Sequence, residues 1–246
     1  MEVRIAHLYP SLMNIYADRG NILTLVQRLA WRGMTAGVDE FTTGDTPAWA
    51  EYDFFYLGGG QDREQQLVCE DLSAKGAGLV EAVEAGAVLL SICGGYQLLG
   101  DYYRTGAGDT MNGVGLFKAH TIAGSKRCIG NVVVKANIGE LSMTLAGFEN
   151  HSGRTFLNPG QQPLGRVVSG FGNNGEDGTE GVIYRNAIGT YLHGPLLPKN
   201  AVLTDWLLER CLEHRYGLSA DGPRLSPIDD ELENAAHEAA VRAAGR

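Results

Sequence analysis

The sequence predicts an α/β fold: a doubly wound, mostly parallel sheet with helices on both faces, and added antiparallel strands in its second half. Two observations carry that expectation. The apolar run Ala87-Val88-Leu89-Leu90 passes through Ser91-Ile92 into Cys93-Gly94-Gly95, which reads as a buried parallel strand turning sharply into a helix. Upstream of it, apolar runs alternate with segments of helical period, the pattern of strand–helix crossovers.

Taken in order, residues 3–8 alternate and run apolar, giving a first strand. Asp18 then precedes a helical pattern with Ile22, Leu25, Val26 and Leu29 on one face, stopped by Gly33. Asp18 is accounted for as a helix N-cap. Residues 35–41 form a second strand, and Asp53-Phe54-Phe55-Tyr56-Leu57 a third that runs into Gly58-Gly59-Gly60. Helices are expected over 62–75 and 78–85, followed by the strand that delivers Cys93. After residue 100 the pattern changes: 114–123, 129–136, 145–150, 165–170 and 181–185 are short strands divided by Gly and Asn, more like hairpins than crossovers. Ile188-Gly189-Thr190-Tyr191-Leu192-His193 returns to the core strand type and ends in Gly194-Pro195. A helix with Leu203, Trp206, Leu207 and Cys211 on one face closes the core near residue 216. The expected division is therefore a main domain over 1–216 and a linker with a C-terminal helix over 217–246. Ser226, with Pro227 in the first helical position and Asp229 three after the cap, starts that helix. Its stripe of Ile228, Leu232, Ala236, Ala239 and Ala243 is thin, so the helix either docks lightly on the core or meets a partner.

Composition narrows the class. A chain of 246 residues with 44% hydrophobic content can bury a full core, and 34 glycines suggest tight strand–helix turns. A net charge of −9 with no Lys/Arg-rich run argues against a nucleic-acid or anionic-membrane surface. Cys69, Cys93, Cys128 and Cys211 lack CxxC spacing, so neither a zinc site nor a disulfide framework is indicated. The N-terminus is too short and charged for a signal peptide, and no stretch approaches the length of a membrane span. The expectation is a cytoplasmic protein.

The chemistry centres on Cys93. A thiol at a strand-to-helix turn occupies the place of a nucleophile elbow, where the helix N-terminus favours its thiolate; the alternative is a small buried core residue. A cysteine nucleophile needs a base, and ligands in doubly wound sheets gather at the carboxyl ends of strands. His193 ends a core strand as Cys93 does, whereas His7 lies inside its strand and His214 and His237 lie on helices. His120 and His151 stay open as alternatives. Gly58-Gly59-Gly60 is either a plain tight turn or, with the N–H of Gly94, a donor set for an oxyanion. No GxGxxG and no GxxxxGK[ST] occurs, so the chain shows no nucleoside-triphosphate loop.

The elbow Cys93-Gly94-Gly95-Tyr96-Gln97, the Gly58-Gly59-Gly60 turn and the late His193 together resemble the class I glutamine amidotransferases, a flavodoxin-like fold. Gly147-Phe148-Glu149-Asn150-His151-Ser152-Gly153 is similar to a segment of the cobyric-acid-synthase type. Asp18-x-Gly20-Asn21-Ile22, Gly58 to Gln65, Gly172-Asn173-Asn174 and Gly189 to Pro195 narrow the likeness to the glutaminase subunits of lipid II isoglutaminyl synthases, over residues 1 to about 215. The resemblance implies hydrolysis of L-glutamine through a Cys93 thioester, with His193 as acid and base and no cofactor in this chain. Arg127 would hold the substrate α-carboxylate, and Gly59, Gly60, Gly94 and Gln97 would line the substrate; Gln97 could equally cap a loop. It also implies a Mur-ligase-like partner of the MurT type, bearing ATP and Mg and amidating the D-glutamate of the lipid II stem peptide. Two rivals remain: a glutaminase serving another ATP-dependent amide synthetase, and a non-catalytic binding subunit. Many relatives carry a Glu two residues after the His, where this chain has Pro195; Cys93 and His193 then act as a dyad, or the third member comes from the partner.

Overall fold

A computed structural model of the chain describes residues 1–15, 19–217 and 225–245. Asp18, expected as a helix cap, lies outside the described residues. In chain order the main sheet takes β1 (Glu2–Leu8), α1 (Gly20–Ala30), β2 (Thr35–Phe41), β3 (Phe54–Leu57), α2 (Asp62–Glu84), β4 (Val88–Ile92) and the short α3 (Gly94–Leu98). The second half adds β5 (Tyr102–Arg104), β6 (Thr110–Asn112), β7 (Ala119–Ile138), β8 (Leu141–Leu157), β9 (Gly165–Ser169), β10 (Thr179–Glu180), β11 (Val182–Tyr184) and β12 (Ala187–Thr190), then α4 (Ala201–Tyr216) and α5 (Glu231–Ala244).

The first sheet runs β11-β12-β4-β3-β1-β2, parallel except for the β11–β12 hairpin. From β1 the chain crosses to one side, and from β3 to the other. Right-handed crossovers therefore put α1 and α2 on opposite faces. Strands β3 and β4 are buried along their whole length, which is why both read as unbroken apolar runs. Leu57 pairs with Ser91, and Ile92 with Thr190, so the carboxyl ends of β3, β4 and β12 stand level. Those ends build the site described below.

Most of the expected small strands belong to a second sheet, ordered β10-β9-β7-β5-β6 with β8 paired to β7, whereas the one expected over 181–185 is β11 of the first sheet. Segments 129–136 and 145–150 fall inside the long β7–β8 hairpin, and β7 also takes in the 119–123 end of the first expected strand. Residues 114–118 of that strand lie outside any strand, and β5 and β6 were not expected at all.

Three other expectations are corrected. The two helices over 62–85 are one, α2, because its glycines serve contact and do not break it. A Cβ on Gly76 would stand 2.7 Å from Val114 Cγ1, and one on Gly78 2.3 Å from Trp49. The last core strand stops at Thr190, and residues 191–193 turn away from the sheet. His193 exchanges backbone hydrogen bonds with Phe148 of β8, at 2.8 and 3.1 Å. The C-terminal helix begins at Glu231, not beside Pro227. Arg32 donates to the Ser226 carbonyl (2.7 Å) and the buried Arg28 guanidinium grips Asp230 (2.6 Å) together with Asp205 of α4 (2.7 Å), which holds residues 226–230 against α1. The face of α5 turned inward carries His237 and Ala244. His237 Nδ1 meets the Lys199 carbonyl at 2.9 Å, and the Ser169 hydroxyl donates to the Ala244 carbonyl at 2.7 Å. The expected stripe lies on the other side, and Leu232 is 82% exposed. Among the described residues no helix is long and apolar enough to cross a membrane.

Candidate active site

Between β4 and α3 the chain turns on a single residue, Cys93. Cys93 sits at φ +50°, ψ −106°, a conformation that costs a non-glycine residue about 1–3 kcal/mol. It persists because its surroundings over-determine it: the Cys93 N–H donates to the Thr190 carbonyl (2.8 Å) and its carbonyl accepts from the Gln97 N–H (3.0 Å). The glycines that follow are required by space. A Cβ on Gly94 would stand 2.8 Å from the Gly60 oxygen, and one on Gly95 2.6 Å from that of Leu57. Helix α3 has only five residues. The electrostatic help expected from a longer helix therefore reduces to that of its first N–H groups.

His193 reaches the same place from β12. Its imidazole Cε1 and the Cys93 Cβ both press on Gly59, 3.0 and 3.4 Å from where a Cβ would stand there. The two residues, a hundred positions apart, thus share one wall, and only a glycine fits between them. His193 is fully buried. Its approach is set by Glu180 on β10, also fully buried, which accepts from the Tyr191 N–H (2.6 Å) and the Thr190 hydroxyl (3.0 Å). The same hydroxyl in turn accepts from the Leu192 N–H at 3.1 Å, so one carboxyl organises the turn from β12 to His193.

Burial pushes that carboxyl up to about 8, against the lowering effect of the Tyr191 and Thr190 hydrogen bonds. Folded Glu180 therefore holds a proton between its ordinary value of 4.5 and about 8, where the unfolded chain has lost it. Its contribution to stability falls as pH rises through that window, by up to about 1.4 kcal/mol per pH unit. Glu180→Gln is expected to remove this dependence. Urea unfolding at pH 5, 6.5 and 8 should show the variant gaining on the wild type as pH rises, and parallel pH profiles would contradict it.

A cavity of about 260 Å³ opens beside the elbow, lined among others by Gly60, Asp62, Cys93, Gln97, Tyr103 and Arg127. Arg127 gets there through an irregularity in the β7–β8 ladder. Ala123 pairs with Gly153 and Cys128 with His151, so residues 124–127 bulge opposite Ser152 alone. Bulges of this kind re-aim side chains at functional sites. Arg127 Nε donates to the Asn150 side-chain oxygen (2.9 Å) and its Nη2 to the Asn150 carbonyl (3.1 Å), which fixes the guanidinium plane over the opening.

Gln97 lines the cavity, but its amide is committed at both ends. Its Nε2 donates to the Tyr191 hydroxyl (3.0 Å), and its oxygen accepts from Gln65 (3.0 Å). Tyr191 continues the chain to Thr155 and Thr121, each step at 2.7 Å, so the rear wall is a connected network of buried polar groups. Behind Arg127, Glu149 accepts from the N–H groups of Phe171 (2.6 Å) and Gly172 (2.9 Å).

The structure thus gathers Cys93, Gly59, Gly60, Gly94, Gln97, Arg127 and His193 at one place. Of the alternative histidines, His120 is stacked between Tyr102 and Phe156 away from the cavity, and His7 is buried in β1, where burial lowers it to about 4. His151 does line the cavity, stacked on Tyr191 at 3.7 Å with its Nδ1 on the Gly153 carbonyl. Sequence reasoning gave no part to Gln65, Asn150, Tyr191 or Glu180. For Gln65, Asn150 and Tyr191 the signal was present in the Gly58–Gln65, Gly147–Gly153 and Gly189–Pro195 segments; Glu180 needed the fold. Among the described residues no group of three or more His, Cys, Asp or Glu side chains could hold a metal ion.

Comparison with known proteins shows the family. A profile of the CobB/CobQ-like glutamine amidotransferase domain matches residues 4–201. Over 245 residues the chain is 41% identical to the lipid II isoglutaminyl synthase (glutamine-hydrolyzing) subunit GatD of Staphylococcus aureus strain N315, covering all of this chain and 97% of that protein. It is 41% identical over 228 residues to the subunit of the same name from Streptococcus pneumoniae, covering 92% of this chain and 87% of that one. A probable cobyric acid synthase of Methanococcus maripaludis strain C7 is 38% identical, but over 48% of this chain and 25% of its own length. A solved structure described as a glutamine amidotransferase superposes with a TM-score of 0.53 at 15% identity, covering 84% of this chain and 98% of that one, which shows the shared fold.

Proposed function

The chain belongs to the family of CobB/CobQ-like glutamine amidotransferase domains, and from that premise we propose that it is the glutamine-hydrolysing subunit of a lipid II isoglutaminyl synthase. The observation that carries the reading is the strained Cys93, at +50°, set in the wall of a cavity that also holds Arg127, with His193 against the same glycine. The cobyric acid synthases match over about a quarter of their length, which favours the lipid II enzyme as the relevant relative.

The substrate enters with its α-carboxylate on Arg127, whose planar fork engages both oxygens, and its side-chain amide at Cys93. Gln97 walls the chain between them. The Cys93 thiol gives its proton to His193 as the sulfur attacks the amide carbon, and the electron pair displaced onto oxygen rests on N–H groups of Gly94 and the Gly59–Gly60 turn. His193 gives a proton to the departing nitrogen, which leaves as ammonia while the carbon stays bonded to sulfur as a thioester. Water then attacks that carbon, His193 takes its proton, and glutamate and the free thiol are restored. Ammonia would pass to a Mur-ligase-like synthetase subunit of the MurT type, whose ATP and Mg would supply the activation of the D-glutamate of the lipid II stem peptide. The work is placed in the cytoplasm, where that precursor is built. The glutaminase unit is residues 1–216, and residues 217–246 form an extension that ends in α5.

Pro195 leaves His193 without an acid two positions on. We propose that the partner adds an orienting group at His193, since a fixed imidazole is worth orders of magnitude in rate. The isolated chain is expected to release ammonia from glutamine slowly, and addition of the synthetase subunit to raise kcat at least about 100-fold. Ammonia release with and without partner, followed by mass spectrometry of lipid II, tests this. Equal turnover in the two states would contradict the partner's role, and no amidated lipid II would contradict the assignment of the product.

A further inference from the structure

The cavity is lined by two cations, Arg63 and Arg127, and among its described lining residues by one carboxylate. We propose that Asp62 receives the α-ammonium group of the amino-acid substrate and so makes the site selective for a free zwitterionic amino acid. This rests on the glutaminase reading above.

Asp62 opens α2 directly after the Gly58-Gly59-Gly60 turn and lines the cavity with Cys93 and Arg127. Among the described lining residues it is the one carboxylate. The hydroxyl of Tyr103, itself a buried lining residue, donates to Asp62 Oδ1 at 3.0 Å and steadies the carboxylate at the cavity edge. Oδ2 takes no hydrogen bond from the described residues.

Most other acceptors around the cavity are already in use, and Gln65 Oε1, buried there without a hydrogen-bond partner, is neutral. The Gly60 carbonyl accepts from Gln65 (3.2 Å), the side-chain and backbone oxygens of Asn150 from Arg127, and the Gly153 carbonyl faces His151 Nδ1 (2.8 Å). The Ser152 carbonyl takes Arg154 (3.4 Å), and the Gln97 oxygen takes Gln65. An ammonium group brought in beside a carboxylate on Arg127 therefore meets one uncommitted anionic oxygen, that of Asp62. An acid in the first turn of a helix is favourable without any ligand, so the test must separate binding from stability.

Glutaramate is L-glutamine without its α-amino group and carries the same amide and carboxylate. With the synthetase partner present, kcat/KM is measured for both substrates in wild type, Asp62→Asn and Asp62→Glu. Wild type is expected to prefer glutamine. In Asp62→Asn that preference should fall by about tenfold or more, through KM for glutamine, with glutaramate hydrolysis little changed. Asp62→Glu should recover part of it. An unchanged preference in Asp62→Asn, or an equal loss on both substrates, would overturn the proposal while leaving the glutaminase reading intact. Failure of the wild type to hydrolyse either compound would instead overturn the glutaminase reading, and this one with it.

Discussion

Cys93→Ala is expected to reduce ammonia release from glutamine to background, a loss of about 10⁴-fold or more, with the fold intact. The cavity is also lined by the hydroxyl of Ser152 and the imidazole of His151, whereas His193 stands against Gly59. If either supplied the nucleophile, activity would survive the substitution. The argument for Cys93 is geometric: it stands at φ +50° on the turn between a fully buried strand and α3. The conformation also makes a stability prediction. Cys93→Gly should be as inactive as the alanine variant yet more stable by about 1 kcal/mol, because glycine adopts positive φ without steric cost. A glutamine-dependent ammonia assay and a urea titration read the two effects separately. They also decide between a catalytic and a binding subunit, since a binding subunit would show no difference between wild type and Cys93→Ala.

The second large effect falls on His193. His193→Ala is expected to lower kcat by about 10²–10⁴-fold with KM little changed, the range for loss of a general acid–base. The amide nitrogen is a poor leaving group until protonated, and among the described residues His193 is the imidazole that meets Gly59 beside Cys93. His151 is the control. Its ring is stacked on Tyr191 with Nδ1 on the Gly153 carbonyl, so its replacement disturbs the wall and is expected to raise KM more than it lowers kcat. A larger kcat loss at His151 than at His193 would exchange their roles.

Much of this was legible in the sequence because it is local. The elbow is a run of apolar residues followed by two glycines, and the glycines are dictated by the backbone of Gly60 and Leu57 a few ångströms away. His193 was found from its place at the end of a core strand, although that strand stops at Thr190 and a bridge to Phe148 carries the chain onward. What was not legible depends on pairing across long separations. The bulge that aims Arg127 exists only in the register between β7 and β8. Glu180 carries no pattern of its own, and its role appears once β10 comes to lie beside the 190–192 turn. Gly76 and Gly78 read as helix breaks because a sequence shows the lack of a side chain and not the Val114 and Trp49 that fill its place. The C-terminal stripe misled for a related reason. Arg28 and Arg32 fix the approach to α5 through Asp230 and the Ser226 carbonyl, and that approach selects which face turns inward.

The central claim is that a free amino acid binds in this cavity with its side-chain amide on the sulfur of Cys93. A chloroketone analogue of glutamine, which keeps the α-carboxylate and α-ammonium and alkylates a thiolate where the amide would sit, tests it most directly by peptide mapping. Modification is predicted at Cys93 alone among Cys69, Cys93, Cys128 and Cys211, and saturating L-glutamine should suppress it. Labelling at another residue, or labelling of Cys93 that glutamine does not slow, would contradict the account.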